Sequence, residues 1–263
     1  MSTKDPLGIL EGDYFTRDLK RKWCHTTFPT VSFYRLMLKE VFDASGAGKK
    51  GNLSFEQYCQ HAIGVFRAVE KVGGHIEITG YDQVPADGWP YVFVANHMSV
   101  LETFIFAAIL DPKGRHMFVV KQSLINYPVF RHIMRSLDPV VVGRENPRED
   151  LTAVLKEGAE KINDGFSMII FPQKTRALRF EPDQFNTIGI KLARRCSVPV
   201  VPVALKTDFW GQGRWLKDFG GIFPKKTVHF HFGAPIKITG KGQEEHEQII
   251  QFIGEHYSKW ENN

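Results

Sequence analysis

Cysteine is scarce in this chain. Cys24, Cys59 and Cys196 are the full complement of its 263 residues, and their wide, irregular spacing excludes a disulfide framework and a paired-cysteine zinc site, as suits a reducing compartment. Long apolar runs are missing too. The longest, residues 103–110 and 198–205, fall well short of the roughly 18 residues that a spanning helix needs, and the residues after Met1 contain no apolar stretch of signal-peptide type. Membrane contact is therefore expected to be peripheral or monotopic, on the cytoplasmic face. Nor is there a strong excess of one charge. The 34 basic and 29 acidic residues leave +5, which admits a membrane surface, a phosphate or a nucleic acid as partner without choosing among them. What is present is an ordinary globular composition, 43% hydrophobic and 24% charged, long enough for one sizeable core or one core with a small accessory element.

The hydrophobic pattern divides the chain. Residues 1–72 predict an N-terminal helical, aromatic-rich element, with one helix near 30–43 and another near 54–72, where Phe55, Tyr58, Ala62, Val65, Phe66 and Val69 recur at helical spacing. The glycines between Ser45 and Gly51 predict a loop. From residue 73 to 263 short strand-like runs (75–78, 91–95, 116–120, 140–142, 167–171, 200–205, 228–232) alternate with helix-like stretches. One helix should start at Asn146, Pro147 and Glu149, which supply a cap, a first helical proline and a capping-box acid, and close at Asp164 and Gly165. Others are expected over 185–196 and 244–260. This alternation predicts an α/β fold, a mixed, largely parallel sheet flanked by helices.

Four clusters could carry chemistry. Asn96 and His97 follow the apolar run 91–95, and Glu102 lies five positions after the histidine. A helix starting near Ser99 would put Glu102 in its first turn, favoured by the helix dipole and able to reach back to the imidazole. A histidine held by a carboxylate is the minimal equipment for taking a proton from an alcohol at neutral pH; read alone, such a pair is more often a structural histidine at a strand end. Lys174, Thr175 and Arg176, with Arg179 nearby, follow the strand-like run 167–171 and combine the donors that hold a phosphate, or form a solvated basic loop. Gly143 and Arg144 follow 140–142, just before the well-capped helix, where an anion could meet both. Pro199 and Pro202 in the run 198–204 suit an edge strand or a pocket wall, although read alone the apolar run is core.

In this order and spacing the four clusters resemble the glycerolipid acyltransferase family, the group containing the 1-acylglycerol-3-phosphate acyltransferases. Its Asn-His-x4-Asp block is matched by Asn96, His97 and, with a longer carboxylate, Glu102. Its second block is matched by Gly143 and Arg144. Its Phe-Pro-Glu-Gly-Thr-Arg block is matched by Phe171, Pro172, Thr175 and Arg176, with Gln173 and Lys174 in place of Glu and Gly. The fourth block is matched by 198–203, and Lys121 and Pro128 fit the segment between the first two. The resemblance spans roughly 74–236 and implies a role for each residue. His97, oriented by Glu102, would deprotonate the hydroxyl of a lysophospholipid acceptor, and the alkoxide would attack a thioester donor, acyl-CoA or acyl-carrier protein. Arg144, Lys174, Thr175 and Arg176 would hold the acceptor's phosphate. No cofactor, metal or acyl-enzyme is implied. The change at 173 and 174 moves the local charge two units towards positive, which implies altered acceptor recognition.

Two aromatic and basic segments offer membrane contact. One includes Phe209, Trp210, Trp215, Phe219 and Phe223 with Arg214, Lys217, Lys225 and Lys226; the other includes Tyr14, Phe15, Trp23, Phe28, Phe33 and Tyr34 with Arg17, Lys20, Arg21 and Lys22. The same rings could simply cap the core. No base- or strand-binding motif is present, so nucleic acid is not an expected partner. His229 and His231 alternate on one strand without an evident third ligand. The other functions compatible with these motifs are a non-catalytic lipid-binding relative and a thioesterase in which His97 activates water.

Overall fold

The structure is a computed structural model that describes residues 5–10, 12–17, 23–214 and 217–262. In chain order its elements are β1 (Tyr14–Phe15), α1 (Trp23–Thr27), α2 (Pro29–Lys49), α3 (Phe55–Lys71), β2 (Ile76–Thr79), β3 (Val92–Ala95), α4 (Leu101–Leu110), β4 (His116–Lys121), α5 (Gln122–Asn126), α6 (Phe130–Leu137), β5 (Val140–Val142), α7 (Pro147–Asn163), β6 (Ser167–Ile170), α8 (Ile188–Cys196), β7 (Val200–Lys206), β8 (Val228–Phe232) and α9 (Gln243–Glu261). The strands form one sheet in the order β1-β2-β8-β7-β3-β6-β4-β5. The run from β7 to β5 is wholly parallel, β2 pairs with β8 in parallel, and the β7–β8 and β1–β2 pairs are antiparallel. The mixed, largely parallel sheet with helices before and around it is thus present.

Strand alternation sends side chains to two cores. Phe93, Ala95, Val201, Val203 and Leu205 pack with Phe33, Phe66, Ile105 and Phe106 of α2, α3 and α4 on one face. Val92, Val94, Met168, Ile170 and Val200 pack with Val154, Leu192 and Ile253 of α7, α8 and α9 on the other. Helix starts follow local chemistry. Ser54 and Gln57 form a reciprocal capping box at α3, and Asn146 caps α7 by accepting from Arg148 N–H at 3.1 Å.

Three expectations are corrected. Gly46 and Gly48 are helical, because α2 runs to Lys49, and only Gly51 lies in the turn that follows; Ser45 donates to the Val129 carbonyl at 2.8 Å, and a side chain on Gly48 would lie 2.7 Å from the His132 carbonyl. Small residues here serve close packing on the start of α6, not a turn. Pro202 sits inside the sheet rather than at its edge, since β7 pairs with β3 on one side and β8 on the other. Its carbonyl accepts from Gly233 N–H at 2.9 Å, so its missing N–H faces the point where β8 has already ended. The helix expected from Phe185 begins at Ile188, after a short 3₁₀ turn over Pro182–Gln184. The structure also adds β1, an edge strand tied down by Tyr14, whose hydroxyl donates to the buried Glu70 at 2.5 Å.

Candidate active site

The parallel strands end along one rim, where the turns after β3, β5, β6 and β7 meet, and this is where side chains in open α/β sheets gather for function. β3 is central and buried along its whole length. Past its end Asn96 imitates a strand residue: its amide donates to the Leu205 carbonyl at 2.8 Å and accepts from Leu205 N–H at 2.9 Å. That pairing closes the β3–β7 ladder with a side chain and frees the main chain to turn outward at His97.

The turn and the first turn of α4 assemble around Glu102, which is fully buried. His97 Nδ1 lies 2.8 Å from Glu102 Oε1. The same carboxylate accepts from the N–H groups of Met98 at 2.6 Å and Ser99 at 2.8 Å. Thr207 Oγ1, just beyond β7, donates to Oε2 at 2.5 Å, and Ser99 Oγ lies 2.8 Å from that oxygen. Burial by itself would raise the Glu102 pKa, but the bond to His97, the charge of His97 and the donors on Thr207 and Met98 outweigh it and hold the group below its usual range. An ionised carboxylate fixed this way keeps a proton on Nδ1 and leaves Nε2 as the free ring nitrogen. The Phe171 ring stacks on the imidazole at 4.4 Å and 17°.

The segment after β6 closes over this pair. Gln173 is buried, and its Oε1 accepts from His97 N–H at 2.6 Å; Ala177 N–H donates to the His97 carbonyl at 2.9 Å. Lys174 and Thr175 between them are exposed. Arg144 joins the cluster by donating from Nη1 to the Lys174 carbonyl. It takes a left-handed conformation, φ 64°, uncommon for a residue with a side chain, and Asp150 supports it by accepting from the N–H groups of Gly143 and Arg144 at 2.9 and 3.0 Å. The Arg176 guanidinium is engaged in an ion pair with Asp218.

All six side chains singled out from sequence therefore share one rim: His97 with Glu102, and Arg144, Lys174, Thr175 and Arg176 on the adjoining turns. Of the two departures at 173 and 174, Gln173 is buried and only Lys174 faces solvent. Ser99, Thr207 and Gln173 were not anticipated as partners of the pair. Ser99 and Gln173 lie inside matched blocks, and Thr207 directly follows a strand end at this rim; only the strand order brings them onto Glu102 and His97. Among the described residues no histidine, cysteine and carboxylate cluster fit for a metal occurs; His229 pairs with Glu77 at 3.0 Å and His231 meets Thr79 at 2.6 Å.

Comparison with known proteins agrees with this geometry. A family model described as Acyltransferase matches residues 75–206, which include all six side chains. A 1-acyl-sn-glycerol-3-phosphate acyltransferase of Pseudomonas aeruginosa is 29% identical over 188 residues, covering 71% of this chain and 68% of that protein. The chloroplastic 1-acyl-sn-glycerol-3-phosphate acyltransferase BAT2 of Brassica napus is 29% identical over 129 residues, and the match takes in 49% of this chain and 36% of the plant protein. The crystal structure of the 1-acyl-sn-glycerophosphate acyltransferase PlsC from Thermotoga maritima superposes with a TM-score of 0.66 at 20% identity, over 91% of this chain and 98% of that one. The chain belongs to the acyltransferase family, and the activity that goes with this membership is O-acyl transfer.

Proposed function

We propose that the protein moves a fatty acyl group from a thioester donor, acyl-CoA or acyl-carrier protein, to the free hydroxyl of a lysophospholipid such as 1-acylglycerol-3-phosphate. The observation that carries this reading is the buried Glu102 bound to His97 Nδ1 beneath a loop of cations. His97 Nε2 takes the hydroxyl proton as the alcohol oxygen attacks the thioester carbonyl carbon. The C–S bond then breaks, and the proton on Nε2 passes to the departing thiolate, which restores the imidazole. Proton transfer of this kind contributes about 10²–10⁴-fold, so positioning supplies the rest.

The acceptor's phosphate has Arg144, Lys174, Thr175 and Arg176 as donors, and it would take the place of Asp218 on Arg176.

Access is from a membrane surface. Among the described residues no helix is long and apolar enough to cross a bilayer. Trp23, Phe28 and Val31 are exposed on α1 and the start of α2, and Phe219 and Phe223 on the segment after β7. The two regions adjoin, since Tyr34 stacks on Phe219 and donates to the Gly220 carbonyl at 2.8 Å. Rings at headgroup depth beside the loop of Asp218 let a lysolipid reach Arg176 without leaving the interface. Phe33, Phe209 and Trp210 of the same sequence segments are core instead, and Lys20, Arg21, Lys22 and Trp215 lie outside the described residues.

The test is transfer from a radiolabelled acyl thioester to a panel of lysolipids by the purified protein and by His97→Ala. Transfer to lysophosphatidic acid should fall at least about 100-fold in the variant. Transfer that survives the substitution removes His97 as base, and thioester hydrolysis without any acceptor product would make the protein a thioesterase.

A further inference from the structure

We propose that Gln173 is a positioning residue, holding the main chain of the base to the loop that carries the acceptor-binding cations; the proposal rests on the acyl-transfer reading above. Three contacts from one segment converge on His97. The Phe171 ring covers one face of the imidazole, Gln173 Oε1 accepts from the His97 N–H at 2.6 Å, and Ala177 N–H donates to the His97 carbonyl at 2.9 Å. The last two bracket the His97 residue from both ends, and Lys174, Thr175 and Arg176 lie between them in sequence.

The need for this clamp follows from how the strand ends. Asn96 completes the ladder with its side chain, so the N–H and carbonyl of His97 have left the sheet and find no strand partner. A main-chain N–H out of water without a partner is costly, and Gln173 supplies the acceptor from a position that is itself only 2% exposed. Base and cations thereby become one hydrogen-bonded unit. The loop sets the separation between Nε2 and the bound phosphate, and a misplacement of about 1 Å in such a unit costs on the order of 10²-fold in rate.

Side-chain chemistry explains why glutamine serves where the resembled pattern has glutamate. Both offer a carbonyl-type oxygen at the same reach, which is what the His97 N–H requires. The amide does so without a second buried negative charge near Glu102. Lys174, exposed on the same loop, is left to act on the acceptor alone.

Gln173→Met fills nearly the same volume with only a weak thioether acceptor in place of the amide oxygen, and Gln173→Glu keeps the acceptor. Steady-state transfer to lysophosphatidic acid should show Gln173→Met losing about ten- to a hundredfold in kcat, with both KM values within about twofold, and Gln173→Glu recovering to within about fivefold of wild type. A Gln173→Met enzyme within about twofold of wild-type kcat, or a loss confined to KM, overturns the proposal. Amide hydrogen exchange by NMR decides the same point without turnover. The His97 N–H should exchange at least about tenfold faster in Gln173→Met, while that of Val92, bonded to the Pro199 carbonyl at 3.0 Å, is unchanged. Unaltered exchange at His97 refutes the clamp. If wild type transfers nothing to lysophosphatidic acid from either carrier, the functional reading fails while the exchange experiment still decides Gln173.

Discussion

Thr207→Val isolates one donor to the buried carboxylate. The two side chains have nearly the same shape, so the variant leaves no cavity; it removes the hydroxyl that lies 2.5 Å from Glu102 Oε2. Thr207 and Glu102 are both fully buried, and water cannot replace the lost bond. A hydrogen bond to a charged group contributes about 1.5–3 kcal/mol, and that loss is expected in urea unfolding at pH 7 with an unchanged slope. The sign of its pH dependence follows from the depressed Glu102 pKa. A carboxylate whose folded pKa lies below its unfolded one stabilises the fold above the ordinary carboxylate range, and that contribution is lost as pH falls through the folded value. Thr207 is one cause of the depression, so the gap between variant and wild type should be full at pH 7 and narrow as the medium is acidified below that range. Activity should fall as well, by about tenfold or less in kcat, because only the part of the bond that strengthens as the imidazolium forms affects the rate. Thr207→Ser should restore both. A variant within about 0.5 kcal/mol of wild type at pH 7, or a gap that is the same in acid, refutes the idea that Thr207 supports the charge of Glu102.

Two further outcomes test other parts of the structure. Asp218→Asn frees Arg176 from its ion pair and should lower the acceptor KM by about two- to fivefold, the range of an exposed pair, with the donor KM unchanged; a raised acceptor KM would make Asp218 a support rather than a competitor of the phosphate. Gly48→Ala should destabilise by about 1–3 kcal/mol in thermal or urea unfolding, because the new methyl meets the His132 carbonyl at 2.7 Å. Gly46→Ala, two residues earlier with nothing within 4 Å, should instead stabilise by up to about 1 kcal/mol, and the same sign for both would contradict the packing of α2 on α6.

The features legible from sequence were those whose causes are local. The capping chemistry at Asn146 and Pro147 placed the start of α7, and the alternation of apolar runs with helical periods implied a largely parallel sheet. A strand end, a turn and a first helical turn bring positions five apart together, so His97 and Glu102 could be paired from spacing alone. The glycines between Ser45 and Gly51 misled because glycine permits both a turn and a close helix contact, and the choice belonged to α6, some 80 residues away.

The amino-acid sequence by itself determined the fold class, the family pattern and the pairing of His97 with Glu102. Only the tertiary structure decided what holds them. Strand β3 lies between β6 and β7, which follow it in the chain by 76 and 109 residues at the contacts Gln173–His97 and Leu205–Asn96. Hydrogen bonds over such separations depend on strand order, which no local spacing encodes, and so the clamp on His97, the donor on Thr207 and the ion pair on Arg176 emerge only when the sheet is assembled.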